Sequence, residues 1–278
     1  MGAAFLAGLL VVGIGLLRSP EVESPRWDNA RGPSGSGPSP AVPADNGAPG
    51  AAPALPGPRI AIVVDDLGYD PVRDAEWLDL PAPVTVSVLP FGPSSKSIAA
   101  SARRRGFGVI LHVPMEPEGD VSDRTEPYLL RRSMPAQEIA DRFARMAADV
   151  PQATGAGNHM GSAFTSDPAA MTAFAQALKA KGFFFVDSVT SAGTVGLSAC
   201  EEAGVPALRR DVFLDDAGGP DEIRRQWDRA LAVARERGQA VLLCHARRGT
   251  RKAMDELLPR LRAEGVRPVT VEELFQAH

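Results

Sequence analysis

The chain has 278 residues and a mass of 29.3 kDa, with 44% hydrophobic and 23% charged residues. That balance excludes a wholly disordered chain and a multi-pass membrane protein, and it fits one or two globular domains. A net charge of −4 and a pI of about 5.7 argue against a nucleic-acid binder led by a basic surface, so no nucleic acid is expected among its partners. Two cysteines cannot build a disulfide scaffold, and four histidines are few enough that each position matters.

Residues 2–17 are small or apolar without a charge, and Arg18 follows at once. The run is slightly short of the roughly 20 residues that span a bilayer comfortably. It reads as a membrane anchor or secretory signal over residues 1–18. Residues 19–58 are crowded with Pro, Gly, Ser and Ala and lack hydrophobic periodicity. Such a segment cannot bury enough apolar area to offset its ordering entropy, and it reads as an extended tether. A compact domain is expected over 59–278. Anchor, tether and domain together are the plan of an envelope protein, held at a membrane through its N-terminal segment or secreted.

Within the domain, β-branched and apolar runs predict strands at 59–66 (RIAIVVDD), 84–90, 108–115, 154–161, 183–188, 207–214, 240–245 and 267–271. Helical patterns lie between them at 71–79, 94–105, 135–149, 168–181, 194–203, 220–237 and 251–264. Proline opens several of these helices and glycine follows many, as N1 prolines and C-cap glycines do. Repeated strand–helix alternation implies parallel strands with right-handed crossovers. The expected fold is α/β, a distorted or incomplete (β/α) barrel of about seven strands, with a doubly wound open sheet as the alternative.

In such folds chemistry gathers at the C-terminal ends of the strands. There this sequence places Asp65-Asp66, His112 followed by Glu116, Asn158-His159, Asp187-Ser188, Asp215 and His245. Neutral imidazole and carboxylate are the usual ligands of a catalytic zinc or related divalent ion. The pair Asp65-Asp66 supplies one carboxylate for a metal and a neighbour to act as base, His112 and His159 supply nitrogen ligands, and His245 is a spare acid. The set suits metal-assisted hydrolysis of an amide or ester. Two carboxylates directly after Ile62-Val63-Val64 are costly to bury without partners or a metal. Asp211 and Asp215 read more simply as structural, with Asp215-Asp216 capping the next helix. Arg247, Arg248 and Arg251 read as a solvated basic face, and Cys200 and Cys244 as inert packing.

The segments IAIVVDDLGYD (60–70), LHVPMEP (111–117), GAGNHMGSAFTSD (155–167), FFVDSVTSAGTVG (184–196) and LLCHARRGT (242–250) resemble the divergent polysaccharide deacetylases, relatives of the NodB-type carbohydrate esterases. The resemblance covers nearly all of 59–278. It implies a distorted (β/α)7 barrel and a divalent metal, usually zinc, held by Asp66, His112 and His159. It further implies Asp65 as base, His245 as acid, and Asp187 as the carboxylate that orients this acid or a sugar hydroxyl. Glu116, Asn158 and Ser188 are the expected substrate contacts. Typical members carry both metal histidines in one His-x-x-x-His segment and also an Arg-x-Pro-Tyr motif. Neither is present, and Asn158-His159-Met160-Gly161 stands where the latter is expected. The implied substrate is an N-acetylated envelope glycan or peptidoglycan fragment. The competing expectation is a non-catalytic envelope module that keeps the barrel and binds glycan or a cell-wall protein. Aromatic residues make up 6% of the chain, and a long sugar-stacking groove is not evident.

Overall fold

A computed structural model describes residues 57–119, 128–216 and 218–275. The segment expected as an anchor, and the tether up to residue 56, lie outside these residues. Among the described residues no helix is long and apolar enough to cross a membrane.

Strands and helices alternate as β1 (Arg59–Leu67), α1 (Pro71–Trp77), β2 (Thr85–Val88), α2 (Ser95–Arg104), β3 (Gly108–Met115), α3 (Ala136–Asp149), β4 (Gly155–Met160), α4 (Pro168–Lys181), β5 (Phe184–Asp187) and α5 (Gly196–Ala203). Then follow β6 (Ala207–Arg209), β7 (Val212–Phe213), α6 (Pro220–Arg237), β8 (Gln239–His245), α7 (Arg248–Leu257), α8 (Arg260–Ala263), β9 (Arg267–Val269) and α9 (Val271–Phe275). Every strand pairing is parallel, in the spatial order β6-β5-β4-β3-β2-β1-β8-β7. The order runs in sequence around the sheet with no reversal point, which is the plan of an open barrel rather than a doubly wound sheet. Strand β8 takes one edge of β1 along its length, while β2 pairs with β1 from Val63 onward and β9 from Arg59 to Ala61.

The expected single strand at 207–214 is two strands. Strand β6 ends one edge of the sheet on β5, and β7 ends the other edge on β8. Only Arg210 and Asp211 connect them, and no helix crosses over between them. Side chains replace the missing ladder at this seam. Asp211 makes two hydrogen bonds with the Val241 backbone, its N–H donating to the Val241 carbonyl and its carboxylate accepting from the Val241 N–H at 2.8 Å. The Arg210 guanidinium donates to the carbonyls of Ser188 and Val189. The expected helix at 251–264 is likewise two, α7 and α8, with Pro259 preceding the second.

Side-chain alternation sorts each strand into two faces. Ile60, Ile62 and Val64 of β1 join Val109, Leu111 and Val113 of β3 and Phe185 of β5 in the large core beneath the helices. Ala61, Val63, Ile110, Phe184, Val186, Val241 and Leu243 fill the barrel interior. On β4 the interior positions begin with Gly155, where a Cβ would fall 2.4 Å from the Phe184 ring. The absent side chain gives that ring its space.

The two rims differ. At the lower rim the helices turn back into the sheet through left-handed glycines such as Gly182 and Gly204. At the upper rim, where the strands end, four non-glycine residues among those described adopt left-handed backbone: Asp66, Phe91, Met160 and Val189, at φ of 67°, 62°, 54° and 49°.

Candidate metal centre and active site

Continuing each interior column two residues past the apolar core gives the site. Ala61 and Val63 lead to Asp65, Ile110 to His112, Gly155 and Gly157 to His159, and Val241 and Leu243 to His245. Asp66 belongs by parity to the outer face. A bulge corrects this: between Val64 and Leu67 strand β1 carries one residue more than β2 opposite it. The left-handed turn at Asp66 absorbs the extra residue and returns its carboxylate to the interior side. Both aspartates then bracket one imidazole. Asp66 Oδ1 lies 3.2 Å from His112 Nε2, and Asp65 Oδ1 lies 3.5 Å from His112 Nδ1.

His159 completes the group. Its Nδ1 is 3.1 Å from Asp66 Oδ1 and 3.2 Å from His112 Nε2. One oxygen and two nitrogens from three strands therefore form a nearly equilateral triangle. Bonds of about 2.0–2.1 Å in a tetrahedral array place ligand atoms roughly 3.3 Å apart, close to the separations found here. Asp66 Oδ1 is buried, and no N–H is aimed at it in hydrogen-bonding geometry. Burial alone would raise the Asp66 carboxyl, but the two imidazoles beside it outweigh burial and hold it well below the usual carboxylate range. An ionised oxygen and two ring nitrogens converging within about 3.2 Å of one another fit a divalent cation. Asp65 is pushed up by burial, against the pull of His112, with Asp66 adding to the rise.

His245 ends β8, in register with Asp65 on the adjacent strand β1. Burial lowers its pKa, but the hydrogen bond its ring donates to Asp215 and the charges of Asp66 and Asp215 outweigh this, so the imidazole is raised above its ordinary value. Asp215 Oδ1 is 3.0 Å from His245 Nδ1, and the His245 backbone N–H also donates to this carboxylate. The hydroxyl of buried Thr250 donates to Asp215 Oδ2 at 2.6 Å. The Phe213 ring packs on the imidazole, with centroids 4.9 Å apart.

These contacts correct the expectation that Asp187 orients the acid. Asp187 has the parity of Phe185 and points outward under α5. There it accepts from the Thr194 hydroxyl at 2.7 Å and the Val189 N–H at 2.8 Å. A Cβ at Gly196 would fall 2.5 Å from its Oδ2. The carboxylate on His245 is Asp215, in place of the expected helix cap. An inward Asp-Asp at a strand end, the same signal as Asp65-Asp66, marked it.

Asn158 and Ser188, expected at the substrate, are engaged with the fold. The Asn158 amide donates to the Met160 carbonyl at 2.7 Å and accepts from the Ser188 N–H at 2.8 Å, while the Ser188 hydroxyl donates to the Asn158 carbonyl at 3.0 Å. These bonds tie the ends of β4 and β5 together. The carboxylate of Glu116 accepts from the Arg132 N–H at 2.8 Å, and its backbone carbonyl accepts from Ala163 and Phe164. It fastens the segment after β3 to the segment after β4.

The family model described as divergent polysaccharide deacetylase matches residues 62–275. The Escherichia coli (strain K12) protein YibQ, uncharacterized, is 36% identical over 207 residues, covering 74% of this chain and 64% of its own length. An uncharacterized Haemophilus influenzae protein is 35% identical over 192 residues, covering 69% of this chain and 68% of its own. The chain thus spans just under two thirds of the Escherichia coli relative. Among solved structures, uncharacterized protein ATU2773 from Agrobacterium tumefaciens C58 is similar at TM-score 0.76 and 28% identity, covering 80% of this chain and 91% of that one. BA3943 from Bacillus anthracis, described as a CE4 family pseudoenzyme, shares the fold at TM-score 0.51 and 11% identity, over 80% of this chain and 66% of that one. With a family match across the whole barrel and relatives above 30% identity, this chain belongs to the divergent polysaccharide deacetylase family.

Proposed function

We propose that this chain is a metal-dependent hydrolase that removes acetyl groups from an N-acetylated glycan of the bacterial envelope. The observation that carries the reading is the triangle of Asp66 Oδ1, His112 Nε2 and His159 Nδ1, with edges of 3.1–3.2 Å. These three residues would hold the ion, with zinc the expected metal. When bound, a divalent ion lowers the pKa of water toward neutrality and polarises a carbonyl oxygen. The chain's own groups handle the protons. Asp65, beside the ligand His112, takes the proton of the attacking water. His245, held protonated by Asp215, gives a proton to the departing amine nitrogen. Water and amide thereby become acetate and amine. Family membership supports a glycan substrate and an envelope location, and the apolar run at 2–17 would supply the attachment to the membrane.

The test is elemental mass spectrometry of the full chain beside Asp66→Ala and His159→Ala, followed by acetate release from N-acetylglucosamine oligomers. About one divalent ion per chain is expected in the parent, with large losses in both variants. A parent that stays metal-free after incubation with zinc, manganese and cobalt overturns the hydrolytic reading. The same barrel is then a glycan-binding module.

A further inference from the structure

The seam between β6 and β7 holds a cavity of about 310 Å³ that the proposed chemistry does not use. It lies between the seam and α6, where no crossover helix covers the barrel. Four arginines line it against three carboxylates, leaving one positive charge in excess. Several of these charges are already engaged. Arg237 pairs with Asp211 at 3.1 Å, and Glu222 accepts from Arg225 and Gln226.

Two arginines are placed differently. Arg210 is fixed by the Ser188 and Val189 carbonyls, with its guanidinium carbon 5.1 Å from the Phe213 ring centre. Arg229 is exposed on α6, where its charge also acts on Asp211 across the cavity lining. Burial draws Arg210 below its ordinary value; Asp216 and Asp187 oppose this, and the like charge of Arg229 adds to it. Arg210 and Arg229 thus line one cavity, where an anion would meet both guanidinium groups. Arg210, Phe213 and His245 form one stack. The Arg210 guanidinium therefore lies at most about 10 Å from the candidate acid.

We propose that the seam cavity is a subsite for a carboxylate carried by the glycan substrate, gripped between Arg210 and Arg229. This rests on the deacetylase reading and narrows its substrate to an acidic sugar chain. A guanidinium presents a planar fork that matches a carboxylate. The single excess charge suits a monoanion, whereas a phosphate monoester carries nearly two charges at neutral pH. The seam makes the subsite possible. A crossover helix between β6 and β7 would cover the cavity, and the two-residue link instead presents Arg210 beside the mouth.

The experiment is calorimetric titration of the full chain, at low ionic strength, with two probes. One is a tetrasaccharide of alternating N-acetylglucosamine and N-acetylmuramic acid; the other is the same molecule with its lactyl carboxyls converted to amides. The acid form should bind roughly tenfold more tightly, the scale of a charge-assisted hydrogen bond. The preference should fall to about twofold or less in Arg229→Gln. It should persist in Arg224→Gln, which removes an equal charge from α6 outside the cavity. Equal affinity for both forms, a preference that survives Arg229→Gln, or no binding of either form overturns the subsite. Acetate release from the amidated probe is measured alongside. Release without acid preference keeps the deacetylase reading and removes the subsite. Acid preference without release from either probe does the reverse.

Discussion

Asp215 holds His245 at two points, its Oδ1 3.0 Å from the imidazole Nδ1 and both oxygens within 3.2 Å of the backbone N–H. The carboxylate fixes the ring's orientation and favours its charged form. Asp215→Asn should therefore lower the His245 pKa, read from the imidazole proton shifts of the metal-free chain. In the parent this pKa is raised above its unfolded value. The stability it contributes is present in full below about pH 6.5 and is lost as pH rises through the folded pKa. The variant should lose that pH-dependent increment, and its rate of acetate release should fall by roughly a hundredfold. An unchanged titration would show that Asp215 does not set the proton on His245.

Zinc should stabilise the fold through Asp66, His112 and His159. At about 100 times its dissociation constant a ligand adds about 2.7 kcal/mol, which raises Tm by roughly 5–10 °C for a domain of this size. Asp66→Asn keeps the volume but removes the ionised oxygen at one corner of the triangle. Scanning calorimetry should show no zinc-dependent shift in that variant.

Thr250→Val should cost about 1–3 kcal/mol in urea unfolding, because it removes the hydroxyl that donates to Asp215 Oδ2 inside the protein. Thr250→Ser keeps the donor and should recover most of the loss. A Thr250→Val protein as stable as the parent, with the loss confined to Thr250→Ser, would assign the effect to the methyl group's packing.

Gly196→Ala should destabilise the domain by about 1–3 kcal/mol, since the new methyl would stand 2.5 Å from Asp187 Oδ2 and 3.1 Å from the Phe185 ring. Neither neighbour can withdraw easily, because both are buried at the end of β5. Urea midpoints of the two proteins check this.

Much of the site was legible because the β-branched runs end at the charged residues. Ile60–Val64 had to be buried, so Asp65 and Asp66 had to lie at a strand end. His112, His159 and His245 followed by the same reasoning. What escaped was orientation. Strand parity separates inward Asp65, His112 and His245 from outward Asp187 and Asn158, but parity needs a register, and register is set by pairing with distant strands. Asp66 escapes even parity, because the bulge that turns it inward is a property of β1 against β2. The seam was hidden for a related reason. Residues 207–214 carry one continuous strand-like pattern, and only the competing edges of β5 and β8 divide it.

The upper rim keeps its side chains where glycine would relax the backbone. Asp66, Phe91, Met160 and Val189 each hold a conformation that costs of order 1–3 kcal/mol, while helix ends at the lower rim take left-handed backbone at glycines such as Gly182 and Gly204. Resistance to heat and fitness for chemistry are thus located at opposite ends of one barrel. A search for hardier variants would be drawn first to the strained positions around the mouth, and each gain there would loosen the geometry that aims the ligands. The lower rim, already relaxed, has little to give. For this barrel the route to a tougher protein that still works runs through the packed helices between the rims.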